Sequence, residues 1–337
     1  MAVSTAELES EPARESSPPG DSAPARSSER LLAVGAVLVA VALWSSAFVG
    51  IRAAGRGLAP GPLALGRLVV GSLALGVFML VRRDSLPRGR GLLLTVVCGV
   101  LWFGVYNVAL NAAERRIDAG IAALLVNVGP ILIAVLAGVV LREGFPPRLF
   151  LGCVVSFAGA AVIGIAVSRH GVSQVWGVLL CFLAALAYAG GVVSQKPVLR
   201  DSSALAVTWL ACTIGAVSCL GYGPQLVDEV GRAHTSVIEW TVYLGVAPTA
   251  IGFVCWAYGL SRTTAGRMGS TTYLVPPLAL LMGWAILGEV PPLLALPGGA
   301  LCLGGVALAR NSGGYLSVKR LRRLYGGARS TPSGSER

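Results

Sequence analysis

The sequence predicts an all-α, polytopic membrane protein of ten transmembrane helices, formed by two inverted five-helix repeats. Three observations predict it. Ten apolar stretches lie between residues 31 and 309, and a helix of about 20 apolar residues crosses a bilayer. Hydrophobic residues make up 55% of the chain and charged residues 13%, against about 25% charged in ordinary soluble domains. Six residue pairs recur at one fixed offset of 146.

The expected spans run over residues 31–51, 62–81, 90–110, 117–140, 148–167, 174–195, 204–224, 237–260, 267–287 and 293–309. In hydrocarbon every backbone polar group must be paired within the structure, and runs of Ala, Leu, Val and Gly at this length do so as helices. A membrane barrel would show short alternating segments instead. The first span carries Trp44-Ser45-Ser46-Ala47-Phe48, and the second carries Arg67, the one cation inside a span. The third holds Trp102, Tyr106, Asn107 and Asn111, and the fourth holds Asn127 and Pro130. The fifth has Gly152, Ser156 and Gly159 along one face, and the tenth has Gly298, Cys302 and Gly305 at the matching positions. Such small-residue faces let backbones approach closely. The sixth contains Tyr188. The eighth has Gly245, Gly252 and Gly259 at seven-residue spacing, with Pro248 and Trp256. The ninth has Tyr273, Pro276 and Pro277.

Outside the spans, residues 1–29 are rich in Ser, Pro, Ala and Glu and read as a disordered tail. They lack the basic start and apolar core of a cleaved signal peptide. Residues 310–337 form a basic tail in which Lys319, Arg320, Arg322 and Arg323 cluster. With both termini cytoplasmic, inner segments hold 20 Lys and Arg and outer loops hold 6, the remaining one being Arg67. This positive-inside bias predicts both ends in the cytoplasm. The net charge of +11 follows that bias and forms no groove-sized patch, so nucleic acid is not an expected partner. The expected partners are a small-molecule substrate and membrane lipids. No obligatory protein partner is expected, and the chain reads as a monomer or weak dimer.

The pairs at the 146-residue offset are Gly120 and Gly266, Pro130 and Pro276, Glu143 and Glu289, Pro146 and Pro292, Gly152 and Gly298, and Gly159 and Gly305. They divide the chain into residues 30–167 and 174–309. Five is odd, so the second copy enters the membrane in the opposite sense, a recurring plan in secondary transporters.

At this point the chain resembles the EamA family of the drug/metabolite transporter superfamily. The resemblance rests on Trp44-Ser45-Ser46-Ala47-Phe48, Arg67, Pro130 with Glu143, and Pro276 with Glu289. It covers residues 31–309. Ser45 stands where that family often has Gly, and the sixth span has Tyr188-Ala189-Gly190 in place of a second tryptophan motif. The resemblance implies export of amino acids or related small metabolites, and a location in the plasma (inner) membrane.

The candidate substrate-binding residues are Trp44, Arg67, Asn107, Asn111, Asn127, Tyr188 and Tyr273. Asn107 and Asn111 share a face one helical turn apart, and amides donate and accept without bringing charge into hydrocarbon. Their alternative role is helix-to-helix bonding. Arg67 either holds a substrate carboxylate or pairs with helix-end carbonyls or Glu114 to fix the fold. Trp44, Tyr188 and Tyr273, with Trp102, Tyr106 and Trp256, are candidates to line a cavity, whose rings would stack on an apolar solute. Trp240 reads as an interfacial anchor, and Trp256 as lying nearer the cytoplasmic boundary. Pro130 and Pro276 are candidate hinges that interrupt helix bonding, and Glu143 and Glu289 are candidate gate ion pairs or caps at helix ends.

No catalytic residue, metal or cofactor is expected. The seven cysteines lack ligand spacing, and no phosphate loop is present for ATP drive. Ser45, Ser46, His170 and His234 offer no nucleophile and base pairing, so an intramembrane enzyme is disfavoured. The leading expectation is a secondary transporter working by alternating access. The alternative is a channel or a membrane-embedded solute sensor. No deep Asp or Glu stands out in the sequence as a proton carrier.

Overall fold

The computed structural model describes residues 23–140, 147–168, 172–262 and 272–310. The described residues are helical, with no strand among them. Glu143 lies outside the described residues.

Helix α1 runs Ala23–Ala54. It begins inside the stretch 1–29 read above as a tail, and its apolar part is Leu32–Ala54. Helix α2 spans Pro60–Arg82, opening with Pro60 in the first turn and closing on Arg83 at φ 51°. Proline is tolerated there because its missing N–H is one the helix start leaves unused. Helix α3 (Arg90–Cys98) passes through a π-helical segment, Gly99–Val105, into α4 (Tyr106–Glu114). Together these form one rod, Arg90–Glu114.

Next come α5 (Ala119–Val126) and α6 (Gly129–Val140), separated by a break at Asn127 and Val128. Helices α7 (Pro147–Ser168) and α8 (Val172–Val198) follow. Helix α9 (Ala204–Ser218) is capped by the Ser203 hydroxyl, which accepts from the Ala206 N–H at 3.1 Å. It bends by 51° into a 3₁₀ turn, Leu220–Tyr222, and α10 (Gly223–Arg232). Helix α11 (Thr235–Leu244), the π segment Gly245–Ile251 and α12 (Gly252–Arg262) make a second long rod. The chain closes with a 3₁₀ turn, Thr272–Leu274, then α13 (Val275–Met282), a π segment Gly283–Leu287, and α14 (Ala295–Arg310).

Among the described residues, five helices are long and apolar enough to cross a membrane alone, and the bent α9–α10 pair makes a sixth. Four shorter apolar segments accompany them. The expected fourth span is in two pieces, and the described part of the ninth opens on a 3₁₀ turn. The chain is thus a multi-pass membrane protein whose described helices are less uniform than ten equal spans.

The prolines explain part of this. Pro130 is the second residue of α6 and Pro276 the second residue of α13. Neither lies in a helix interior; both lie just after a break or turn in the helix bonding. Each starts a helix just after a local irregularity, where a missing N–H costs nothing.

Repeat-related positions meet in space. The Ser156 hydroxyl of α7 donates to the Cys302 carbonyl of α14 at 3.2 Å, and the Cys302 thiol donates to the Ser156 carbonyl at 3.3 Å. A Cβ on Gly159 would lie 2.5 Å from the Cys302 nitrogen, and one on Gly305 would lie 2.4 Å from the Ser156 nitrogen. Only glycine admits backbones this close. The relation extends to two of the three π segments, which begin at Gly99 and Gly245, again 146 apart. Gly99 abuts the Ala211 carbonyl of α9, and Gly245 abuts the Arg67 carbonyl of α2.

Candidate functional site

Helices α1, α2, α4, α5, α8 and α12 enclose a central cavity of about 70 Å³. That is small beside the roughly 300–1,000 Å³ of most ligand sites. It accommodates a few waters or a very small solute, so a larger solute needs the walls to separate.

Aromatic rings form one side. The Trp44 ring centroid lies 4.9 Å from Trp256 and 5.2 Å from Phe253, and Trp102 lies 4.9 Å from Phe253 and 5.1 Å from Tyr188. Such pairs contribute roughly 0.5–1.5 kcal/mol each beyond their burial. Glycines admit the rings: a Cβ on Gly191 would lie 2.5 Å from that of Trp102, and one on Gly129 would lie 2.5 Å from the Tyr188 ring. Trp44 Nε1 donates to the Pro248 carbonyl at 3.2 Å, in the π segment of the second rod. Trp256 is 2% exposed and packs on Trp44, so it belongs to this aromatic cluster.

The polar side is formed by Arg67 and Asn127. Arg67 is 4% exposed, so it does not snorkel. Its Nε and Nη2 donate to Thr249 Oγ1 at 3.2 and 3.0 Å, and that hydroxyl donates onward to the Leu244 carbonyl at 2.7 Å. The guanidinium is thereby held at the cavity wall by a neutral group, and no ion pair with Glu114 forms. Asn127 sits at the C-terminal cap of α5, where the chain breaks. The residue lines the cavity, and its side-chain nitrogen is buried without a hydrogen-bond partner. An unpaired buried donor costs about 1–3 kcal/mol, so this amide is poised for an acceptor.

Four predicted residues therefore line one space: Trp44, Arg67, Asn127 and Tyr188. Asn107 and Asn111 are placed elsewhere. Asn107 donates to the Phe103 carbonyl at 2.7 Å and the Trp102 carbonyl at 3.4 Å, filling bonds that the π segment leaves open. Asn111 donates to the Pro60 carbonyl at 3.0 Å, tying α4 to the start of α2. Tyr273 lies on the 3₁₀ turn before α13, and its side chain is outside the described residues.

Next to Ile51 of the cavity wall lies a polar cluster around Arg52. Its Nε donates to Glu289 Oε1 at 2.6 Å, and its Nη2 lies 3.5 Å from Asp118 Oδ1. Its Nη1 donates to the carbonyl of Glu114 and, at 3.3 Å, to that of Ile117. Glu289 Oε2 accepts from the Ala119 N–H at 2.9 Å, at the start of α5. One carboxylate thus links α1, α5 and the segment after α13. Ile51, beside Arg52, lines the cavity. Glu289 was legible as a candidate for an ion pair or cap at a helix end; its partner was not, because Arg52 fell one residue beyond the expected first span. Its place one turn after Phe48, on the cavity face of α1, is the signal that marks it.

The EamA-like transporter family matches residues 31–165 and again 175–310. A probable terminal-alkyne amino-acid exporter of Streptantibioticus cattleyicolor is 38% identical over 283 residues, covering 82% of this chain and 92% of that protein. The uncharacterized transporter YdfC of Bacillus subtilis is 33% identical, covering 85% of this chain and 91% of its own length. A solved protein structure is similar with a TM-score of 0.55 over 84% of this chain and 97% of that one, at 21% identity, which speaks to the fold alone. Two family matches that together cover most of the sequence, on a multi-pass helical bundle with a central cavity, establish that this chain belongs to the EamA-like transporter family.

Proposed function

We propose that this transporter exports amino acids or related small polar metabolites by alternating access across the plasma membrane, with both termini cytoplasmic. The observation that carries the reading is the cavity itself. A buried guanidinium and an unpaired amide face a wall of aromatic rings, a division that suits a solute with a carboxylate and an apolar side chain. Arg67 would hold the carboxylate, Asn127 would give it a second donor, and Trp44, Trp102 and Tyr188 would enclose the side chain.

Two five-helix repeats of opposite sense, over residues 30–167 and 174–309, account for the reciprocal Ser156 and Cys302 contacts and for the paired π segments. In this reading the Arg52–Glu289 cluster is a gate at the outer end, closed in this structure. Closure at that end favours a carrier over an open channel.

Binding tests the reading. The indole rings of Trp44 and Trp102 border the cavity, with Trp256 packed on Trp44 behind them, and they report on its occupant by fluorescence. A panel of amino acids with apolar side chains, their amides and their decarboxylated amines would be titrated into purified protein. Saturable quenching by the acids, lost with the amides and amines and weakened at least about 10-fold by Arg67→Gln, supports the proposal. Equal binding of all three series overturns the carboxylate assignment.

A further inference from the structure

Glu114 ends α4 beneath the Arg52 cluster, is 1% exposed, and has no hydrogen-bond partner for either carboxylate oxygen. It lies one helical turn beyond Leu110, which lines the cavity, so it stands between the cavity and the Arg52 cluster. The groups that face it are Arg52 of α1, Arg67 of α2, Tyr106 of its own helix, Cys181 of α8, and Glu289. Asp118 shares Arg52 with Glu289. The α5 helix itself, Ala119–Val126, brings no ionisable side chain.

The hydrogen bonds of both cations are directed elsewhere. Arg67 gives its bonds to Thr249. Arg52 gives its own to Glu289, Asp118 and two carbonyls, one of them the backbone carbonyl of Glu114. A carboxylate kept from water with no donor on either oxygen is strongly disfavoured as an anion, and the neutral acid is the form such a place accepts. Intramembrane acids of this kind mark proton pathways.

We propose that Glu114 is the proton-binding residue that couples transport to a proton gradient. It holds a proton while the Arg52–Glu289 cluster is closed. When α1 and the segment after α13 separate, water enters and Arg52 is freed beside it. The O–H bond then breaks, the proton passes to water, and the carboxylate gains a cation and solvent. Protonation is thereby linked to which end of the bundle is open. This rests on the transporter reading but adds its driving force.

The test uses the full chain in proteoliposomes with the radiolabelled amino acid that binds best. Counterflow at equal pH on both sides reads carriage alone, and net flux with an imposed pH gradient reads coupling. Wild type should show net flux raised about 5-fold or more by a gradient of one sign. Glu114→Gln, a neutral stand-in for the acid, should keep counterflow while its net flux ignores the gradient. Glu114→Asp should retain gradient sensitivity. Wild-type counterflow with no response to a gradient of either sign overturns the coupling proposal and leaves the carrier standing, as does a Glu114→Gln variant that responds as wild type does. Absence of wild-type counterflow overturns the carrier reading and this proposal with it. Labelling of wild type by dicyclohexylcarbodiimide, which attacks protonated carboxyls in apolar surroundings, gives a second readout that needs no variant. Peptide mapping should find the adduct on Glu114 near neutral pH, and an unmodified Glu114 under conditions that label other acids overturns the proposal.

Discussion

Asn127 and Asn111 are the same side chain in opposite circumstances. Asn111 spends its amide on the Pro60 carbonyl, whereas the Asn127 amide nitrogen has no partner and borders the cavity. Asn111→Ala should therefore lower stability by about 1 kcal/mol and leave solute affinity within a few-fold, measured by thermal unfolding and fluorescence titration. Asn127→Ala should weaken binding by about 10-fold and cost little stability. The Arg52–Glu289 pair makes a second residue-level case. Its side chains are 28% and 13% exposed, so it is worth less than a fully buried pair. A double-mutant cycle with Arg52→Gln and Glu289→Gln should give a coupling of about 1–3 kcal/mol. A value near zero would mean the two do not hold the end of the bundle shut. None of this pairing was readable from sequence. The expected spans stopped at residues 51 and 110, which left Arg52 and Glu114 as loop residues. Only packing shows that helices α1 and α4 run on, bury Glu114 and leave Arg52 half-buried.

Among the elements, the α7–α14 contact depends most on small residues. A Cβ on Gly159 or Gly305 would meet backbone atoms that cannot move aside. Gly159→Ala and Gly305→Ala should each cost about 1–3 kcal/mol, seen as a lowered unfolding midpoint. Because the two glycines occupy equivalent places across the Ser156 and Cys302 contact, their costs should be similar. A large cost at one and none at the other would break the equivalence. This contact was visible in the sequence as two matched small-residue faces. The π segments were not. A π turn changes no residue pattern that a helical period detects; it shows only as Gly99 and Gly245 packed on the neighbouring carbonyls. The prolines misled for a related reason. Pro130 and Pro276 lie within apolar runs, so they read as mid-helix breaks until the 3₁₀ turn and the gap at Asn127 reveal that new helices start there.

At the scale of the molecule, the apolar runs were enough to read a multi-pass helical bundle, and the resemblance carried by Trp44-Ser45-Ser46-Ala47-Phe48, Arg67 and the Pro130 and Pro276 markers pointed to its family. The cavity needed three dimensions, because Trp44, Arg67, Asn127, Tyr188 and Phe253 come from different helices. Its small volume also carries a consequence. A solute of amino-acid size enters only if the walls part, so loading and opening are one event. A carrier of that kind binds at one side, closes and releases at the other, and its flux saturates. The most direct measurement is counterflow: proteoliposomes loaded with an unlabelled amino acid bearing an apolar side chain, diluted into a trace of the labelled one. The account predicts transient, saturable accumulation of label that falls by about 10-fold or more with Arg67→Gln. Label that equilibrates in proportion to its concentration, without overshoot and indifferent to what the vesicles contain, would contradict it.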